Sequence, residues 1–179
     1  MRKITASTFV SLDGVTNDPR AWATPYFNHQ AEQAVLQEVR ASDGMLMGRG
    51  TYEYFAEVIP AQTGPYADAL NAIRKYVFSS TLETTDWNNS TIIPTDPVAT
   101  VRELKRQDGR DLFMYGHGRL SQSLLKHNLL DEIRFAVHPL LLGDGQGPGS
   151  RRPAPPLKLV AATPLPTGVV ALSYRPDHD

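Results

Sequence analysis

The sequence predicts a three-layer α/β/α fold around a mixed, mainly parallel sheet that ends in an antiparallel hairpin. Three observations predict it. Short, wholly apolar runs such as Met45-Leu46-Met47 read as strands buried on both faces. They alternate with stretches whose apolar residues recur at helical spacing, the pattern that pairs strands in parallel under helical layers. Near the end the period changes to two, and LKLVAAT and VVALSY, joined by PLPTG, read as a hairpin.

Each element has its own signal. Residues 3–10 alternate, with Ile4, Ala6, Thr8 and Val10 on one side, as in a strand. SLDGVTNDP follows as a turn. Ala31, Ala34, Val35 and Val39 mark one face of a helix that begins near Asn28. After the Met45 strand comes GRGT, then a helix carrying Tyr52, Phe55 and Ile59 that stops at Pro60. Tyr66, Ala69, Leu70 and Ile73 make the next helix, and KYVFS at 75–79 the next strand. A short strand is expected around Ile92-Ile93. Asp96-Pro97 opens a helix with a capping side chain and proline in its first turn. DLFMY at 111–115 is a strand, and Leu120 and Leu124 carry the helix after it. From Asp131, Ile133, Phe135 and Val137 alternate with Glu132, Arg134 and His138, as in a half-buried strand. Residues 139–156 hold nine Gly or Pro among eighteen, which is a loop. No linker or internal repeat interrupts this order, so one domain over 1–179 is expected.

Composition narrows the function. A formal net charge of -1 with scattered basic residues argues against a nucleic-acid partner. The chain has no cysteine, which removes disulfides and thiolate chemistry. The five histidines lack paired ligand spacing, so no metal site is expected. There is no signal-like N-terminus and no apolar run of spanning length, which points to a cytoplasmic protein without a membrane partner.

Ligands of parallel sheets bind beyond the carboxyl ends of strands, where helix N-termini present unpaired N–H groups. Three strand ends here carry glycines, hydroxyls and arginines: Gly48-Arg49-Gly50-Thr51, Ser79-Ser80-Thr81, and Gly116-His117-Gly118-Arg119. Any one alone reads first as a tight turn or a helix cap. Together they suggest one extended ligand with several phosphates, such as a dinucleotide. The chain has no G-x-x-x-x-G-K-[ST], and GHGRLS lacks the third glycine of the Rossmann fingerprint. No G-x-S-x-G elbow is present either. His117 reads as a catalytic acid or as a residue that positions backbone.

The stretches SLDGV (11–15), LMGRGTYE (46–53), VFSSTL (77–82), YGHGRLSQSLL (115–125) and LLDEIRFAVHPLLLGDG (129–145) resemble, in that order, the dihydrofolate reductase-like superfamily. The branch they resemble is the C-terminal reductase domain of the riboflavin-biosynthesis deaminase–reductase. The resemblance implies an NADPH-dependent reductase. It places Gly48, Arg49 and Thr51 at the cofactor's phosphate region, and Ser79 and Ser80 beside the adenine ribose and its 2′-phosphate. Gly116, His117, Gly118, Arg119 and Leu120 would wrap the pyrophosphate, with Ala6, Leu12, Asp13 and Gly14 facing the nicotinamide.

Two departures from the family stand out. The pair before the pyrophosphate turn is Gly116-His117 instead of Gly-Gly, which leaves open whether that bond is cis. The helix that carries a carboxylate in folate-reducing relatives offers Glu32 and Glu38, neither convincingly placed. Asp13 is the better candidate for a substrate-facing acid, with a surface-turn aspartate as the alternative. Without cysteine the zinc-dependent deaminase half is not expected. The substrate implied is 5-amino-6-(5-phosphoribosylamino)uracil; Arg151 and Arg152 read first as part of a solvated loop, with contact to its phosphate as the alternative. A dihydrofolate-type pterin is the second substrate, and a non-catalytic NADPH-binding protein the alternative function. The apolar terminal strand (Val169, Val170, Ala171, Leu172) predicts a homodimer.

Overall fold

The computed structural model of the chain describes residues 1–143 and 155–177. Arg151 and Arg152 lie outside them, as does most of the long loop. Strands β1 (Ile4–Ser11), β2 (Ser42–Gly48), β3 (Arg74–Phe78), β4 (Ser90–Ile93), β5 (Asp111–Tyr115), β6 (Glu132–His138), β7 (Leu157–Pro164) and β8 (Val170–Pro176) form one eight-stranded sheet. Its order is β4-β3-β2-β5-β1-β6-β8-β7. β1 to β6 pair with one another in parallel, while β8 runs antiparallel to both β6 and β7. The mixed sheet and terminal hairpin expected from the sequence are both present.

The helices are α1 (Pro19–Trp22), α2 (His29–Ala41), α3 (Arg49–Ala56), α4 (Pro65–Ala72), α5 (Pro97–Arg106) and α6 (Arg119–Lys126). Their starts follow local chemistry. The Asn28 side chain accepts the Ala31 amide at 3.0 Å, and Asp96 accepts that of Val98 at 3.0 Å with Pro97 behind it. One core sits between α2, α3, α4 and the sheet, around Val39, Met47, Tyr52, Leu70 and Phe113. The other lies under α5 and α6, around Ile4, Leu46, Val101 and Leu124.

Three local expectations are corrected. α3 ends at Ala56, not Ile59, because Pro60 lacks the N–H that would continue the ladder; a separate 3-10 turn covers Ile59–Ala61. The stretch after SLDGV contains α1 and a 3-10 turn, Thr24–Tyr26, too short to show a periodic signal. His138, assigned to a polar face, is 3% exposed.

Lys75 shows how far tertiary structure can override residue type. It is fully buried at the start of β3, and Nζ donates to the carbonyls of Asn71, Ile73 and Asn88 at 3.2, 2.9 and 2.8 Å. The same ammonium lies 4.3 Å over the Trp87 ring. Burial lowers its pKa to about 8. Lys75→Met leaves three carbonyls without that donor. Its expected cost is about 2–4 kcal/mol, read as a lower urea midpoint at unchanged slope. An unchanged midpoint would show that solvent replaces the ammonium freely.

Candidate active site

The strand order brings the three glycine- and hydroxyl-bearing ends together, since β3, β2 and β5 are consecutive in the sheet and β1 follows. At the end of β3 the Ser79 hydroxyl accepts the amides of Thr81 and Leu82 at 3.2 and 3.0 Å, which curls the chain into a turn. Arg49, the first residue of α3, leans across to that turn and donates through Nη1 to Thr81 Oγ1 at 3.0 Å. Its Nε donates to Glu53 Oε1 at 2.7 Å, one helical turn on. That pair was legible in GRGTYE as i,i+4 spacing, and it puts a carboxylate beside the expected phosphate seat.

At the end of β5, Gly116 has φ 88, a left-handed conformation that disfavours a side chain. Its amide donates to the Ser7 carbonyl at 2.8 Å, so the turn is tied to β1. A Cβ built on it would stand 3.9 Å from Thr51 Oγ1, which brings the first turn of α3 against the same place. Gly118 is the N-cap residue of α6, with Arg119 and Leu120 in the first turn. His117 Nδ1 is 3.5 Å from Ser121 Oγ, and the ring packs edge-on to Phe135 at 6.0 Å. Burial lowers its pKa. These contacts favour the positioning reading over the acid one. Among the described residues no peptide bond is cis.

Beyond these turns lies a cavity of about 660 Å³ whose walls include Phe9, Phe27, Tyr54, Phe55, Tyr66 and Tyr115. Phe55 stacks on Tyr115 at 5.4 Å, and Phe27 tilts against Tyr66 at 6.5 Å. α1 and the turn after it form one side. Arg20 clamps them to α3, 3.1 Å from Glu57 and 4.0 Å from the Tyr54 ring centroid. His138 supports them from behind, with Phe9, Trp22 and Tyr26 rings at 5.1, 5.2 and 5.5 Å. Its Nδ1 lies 2.9 Å from the Ala136 carbonyl, which can only accept, and burial lowers its pKa. No sequence signal marked this aromatic nest.

The expected nicotinamide-facing residues divide. The Ala6 side chain is 1% exposed in the core under α5 and α6, so only its backbone could face a ligand. Its neighbour Ser7 lines the cavity. Leu12 is exposed, and its amide donates to the Leu140 carbonyl at 2.9 Å. Gly14 closes the turn with φ 87. Asp13 accepts the Ser11 hydroxyl at 2.6 Å and the amides of Leu142 and Gly143 at 3.0 and 2.8 Å. Those donors, the Ser11 hydroxyl foremost, lower its pKa to about 2. It is an ionised anchor that ties this turn to the segment after β6, a poor proton donor at neutral pH.

Glu38 has the opposite character. Its side chain is 9% exposed, and Oε1 accepts the Ser7 hydroxyl at 2.6 Å and Arg134 Nη1 at 3.3 Å. Burial raises its pKa despite both donors. Tyr115 and Tyr66 share this polar floor, their hydroxyls 3.4 Å apart, and burial pushes Tyr66 up to about 12. Glu32, in the first turn of α2, lines the cavity.

Solved structures share this architecture. A Shewanella sp. PV-4 protein named for riboflavin biosynthesis matches with a TM-score of 0.77 and 20% identity, over 98% of this chain and 99% of that one. The Thermotoga maritima diaminohydroxyphosphoribosylaminopyrimidine deaminase/5-amino-6-(5-phosphoribosylamino)uracil reductase matches at 0.66 and 15%, over 98% of this chain and 57% of that one. Among sequences, YyaP of Bacillus subtilis (strain 168) is 30% identical over 109 residues, 58% of this chain and 57% of YyaP. The chain thus spans little more than half of YyaP and of the Thermotoga protein. The pattern that defines the RibD C-terminal domain runs through residues 2–171, so by sequence as well as by fold the chain belongs to the RibD C-terminal domain family.

Proposed function

We propose that the chain is an NADPH-dependent oxidoreductase that transfers hydride to a small heterocycle. The observation that carries this reading is the row of donor-rich strand ends β3, β2 and β5, leading to an aromatic cavity beside β1. Three inter-strand steps cover about 14 Å, a span suited to a dinucleotide laid across them. A Cβ built on Gly48, Gly50 or Gly118 meets nothing within 4 Å, so the backbone there is open to a ligand.

In this assignment Arg49, Ser79 and Ser80 hold the 2′-phosphate end. Gly48, Thr51 and the turn Gly116, His117, Gly118, Arg119, Leu120 hold the pyrophosphate. Ala6 offers backbone, and Leu12 and Gly14 shape the lip of the cavity that Asp13 anchors. When bound, NADPH supplies the hydride. The aromatic walls orient a planar ring and exclude water, and Ser7 with Glu38 supplies a proton from the cavity floor.

The reaction is most like the reduction of 5-amino-6-(5-phosphoribosylamino)uracil. A pterin-type substrate is the second reading, favoured by the aromatic walls and by Glu32 on the lining. The test is NADPH oxidation at steady state across uracil-type and pterin-type heterocycles. Turnover with one class names the substrate; NADPH binding without turnover on any favours a non-catalytic nucleotide-binding protein.

The proposed homodimer gains a different surface from the one expected. Val169 is 3% exposed, whereas Leu157, Leu159 and Val160 on the edge strand β7 are 38%, 53% and 47% exposed. An apolar edge strand of this kind calls for a partner. Light scattering is expected to give a dimer mass at micromolar concentration, and Leu159→Lys a monomer. A monomeric mass for the unmodified chain rules the dimer out.

A further inference from the structure

The opposite end of the sheet carries a second set of cations that the proposed reaction does not use. Arg2 precedes β1, Arg40 ends α2 just before β2, Arg74 opens β3 and Arg110 precedes β5. The four strands are adjacent, in the order β3-β2-β5-β1, so arginines far apart in sequence share one edge of the fold. All four line a single cleft of about 760 Å³, with Tyr76, Asn89 and Ser90 among its polar groups.

Their donors are committed very differently. Arg2 is buried, paired with Asp43, and donates through Nε to the Arg110 carbonyl at 2.6 Å. Asp43 also accepts the Arg110 amide at 2.9 Å. Arg110 gives Nε and Nη2 to the Ser42 carbonyl at 3.3 and 3.0 Å. Arg74 touches only the Tyr76 hydroxyl, at 3.4 Å, and Arg40 has no hydrogen bond or ion pair among the described residues. Both are exposed. The Ser90 hydroxyl has no partner among the described residues.

The helix ends here offset part of this charge. α2, α4 and α5 point their carboxyl ends to this side, each carrying about half a negative charge. Four arginines against Asp43 and Asp108 leave a formal charge of 4 − 2 = +2 on the cleft lining, in a chain whose total is -1. Arg40 lies in the last turn of α2, two residues before β2, and Arg74 is the first residue of β3, paired with Gly44 of β2, so both guanidiniums border the same cleft, and each offers a planar fork to phosphate oxygens.

We propose that this cleft is a binding site for a small, multiply charged phosphate, such as a di- or triphosphate group, held by Arg40 and Arg74 with support from Arg110. It lies at the other end of the strands from the dinucleotide seat and is independent of it. Inorganic pyrophosphate titrated into the full-length protein at low salt, followed by calorimetry, tests this. Binding is expected, Arg40→Ala/Arg74→Ala is expected to weaken it at least tenfold, and Arg49→Ala is expected to leave it unchanged. The double variant should melt like the parent and keep its NADPH affinity, because both side chains are exposed and distant from the cofactor turns. No binding at millimolar pyrophosphate overturns the proposal. So does binding that the double substitution leaves intact or that saturating NADPH abolishes, since the anion then sits elsewhere, as at the Gly116–Leu120 turn assigned to the cofactor's pyrophosphate.

Discussion

Arg49→Ala is expected to weaken NADPH binding ten- to a hundredfold while changing NADH affinity little. The contrast follows from where Arg49 leans. Its Nη1 donates to Thr81 in the turn after β3, the end assigned to the 2′-phosphate, and not toward the Gly116 turn assigned to the pyrophosphate. A guanidinium offers a planar fork to a phosphate, and each charge-assisted bond lost costs about 1.5–3 kcal/mol. The serine hydroxyls complete the shell, so Ser79→Ala and Ser80→Ala should also penalise NADPH selectively. Glu53 acts against them, because its carboxylate holds Arg49 Nε at 2.7 Å and stands beside an incoming dianion. Glu53→Gln is therefore expected to tighten NADPH. Titration of both nucleotides against each variant reads these effects. An equal loss of NADPH and NADH on Arg49→Ala moves the arginine to the pyrophosphate, and equal affinity of the unmodified protein for both sinks the 2′-phosphate assignment.

Legibility tracked the range over which each signal acts. DLFMY at 111–115 is a strand in the fold over those residues, because a short apolar run between polar ends is a local pattern. The same holds for the caps at Asn28 and Asp96. The three donor-rich strand ends were visible as composition, but their adjacency depends on β5 inserting between β2 and β1, a topological fact no window of sequence contains. Asp13 and Glu38 make the same point for chemistry. Both are carboxylates near the expected ring site, and their roles depend on partners 129 and 31 residues away. The Ser11 hydroxyl and the amides of Gly143 and Leu142 hold one ionised, while burial between α2 and the sheet pushes the other toward keeping its proton. His138 was misjudged for a related reason, and Lys75 shows the same effect. Each is a polar residue made tolerable in the interior by distant carbonyls or aromatic rings.

Glu38→Gln is expected to lower kcat about a hundredfold or more and to leave NADPH affinity unchanged. Hydride transfer to a ring leaves an anion that needs a proton, and a well-placed acid contributes roughly 10²–10⁴ in rate. Glu38 combines the two properties required. Its carboxyl is buried enough for the pKa to rise above the ordinary glutamate value, and it touches Ser7, whose side chain lies on the cavity lining. At 2.6 Å the shared hydrogen bond can reverse. With the carboxyl protonated, its O–H donates to Ser7 Oγ and the serine hydrogen is released toward the cavity. The sign of the pH dependence follows. The protonated form is active and its pKa is raised, so kcat should be highest below that pKa and fall as pH rises through it. That limb should lie above the range of an exposed glutamate, and Glu38→Gln should abolish it. Ser7→Ala keeps the acid but cuts the route, and is expected to cost nearly as much, with the double variant no worse than either single one. A Glu38→Gln enzyme with unchanged kcat and the same pH limb would leave the Glu38–Ser7–Arg134 contacts as architecture joining α2 to the sheet, and the proton would have to come from solvent in the cavity.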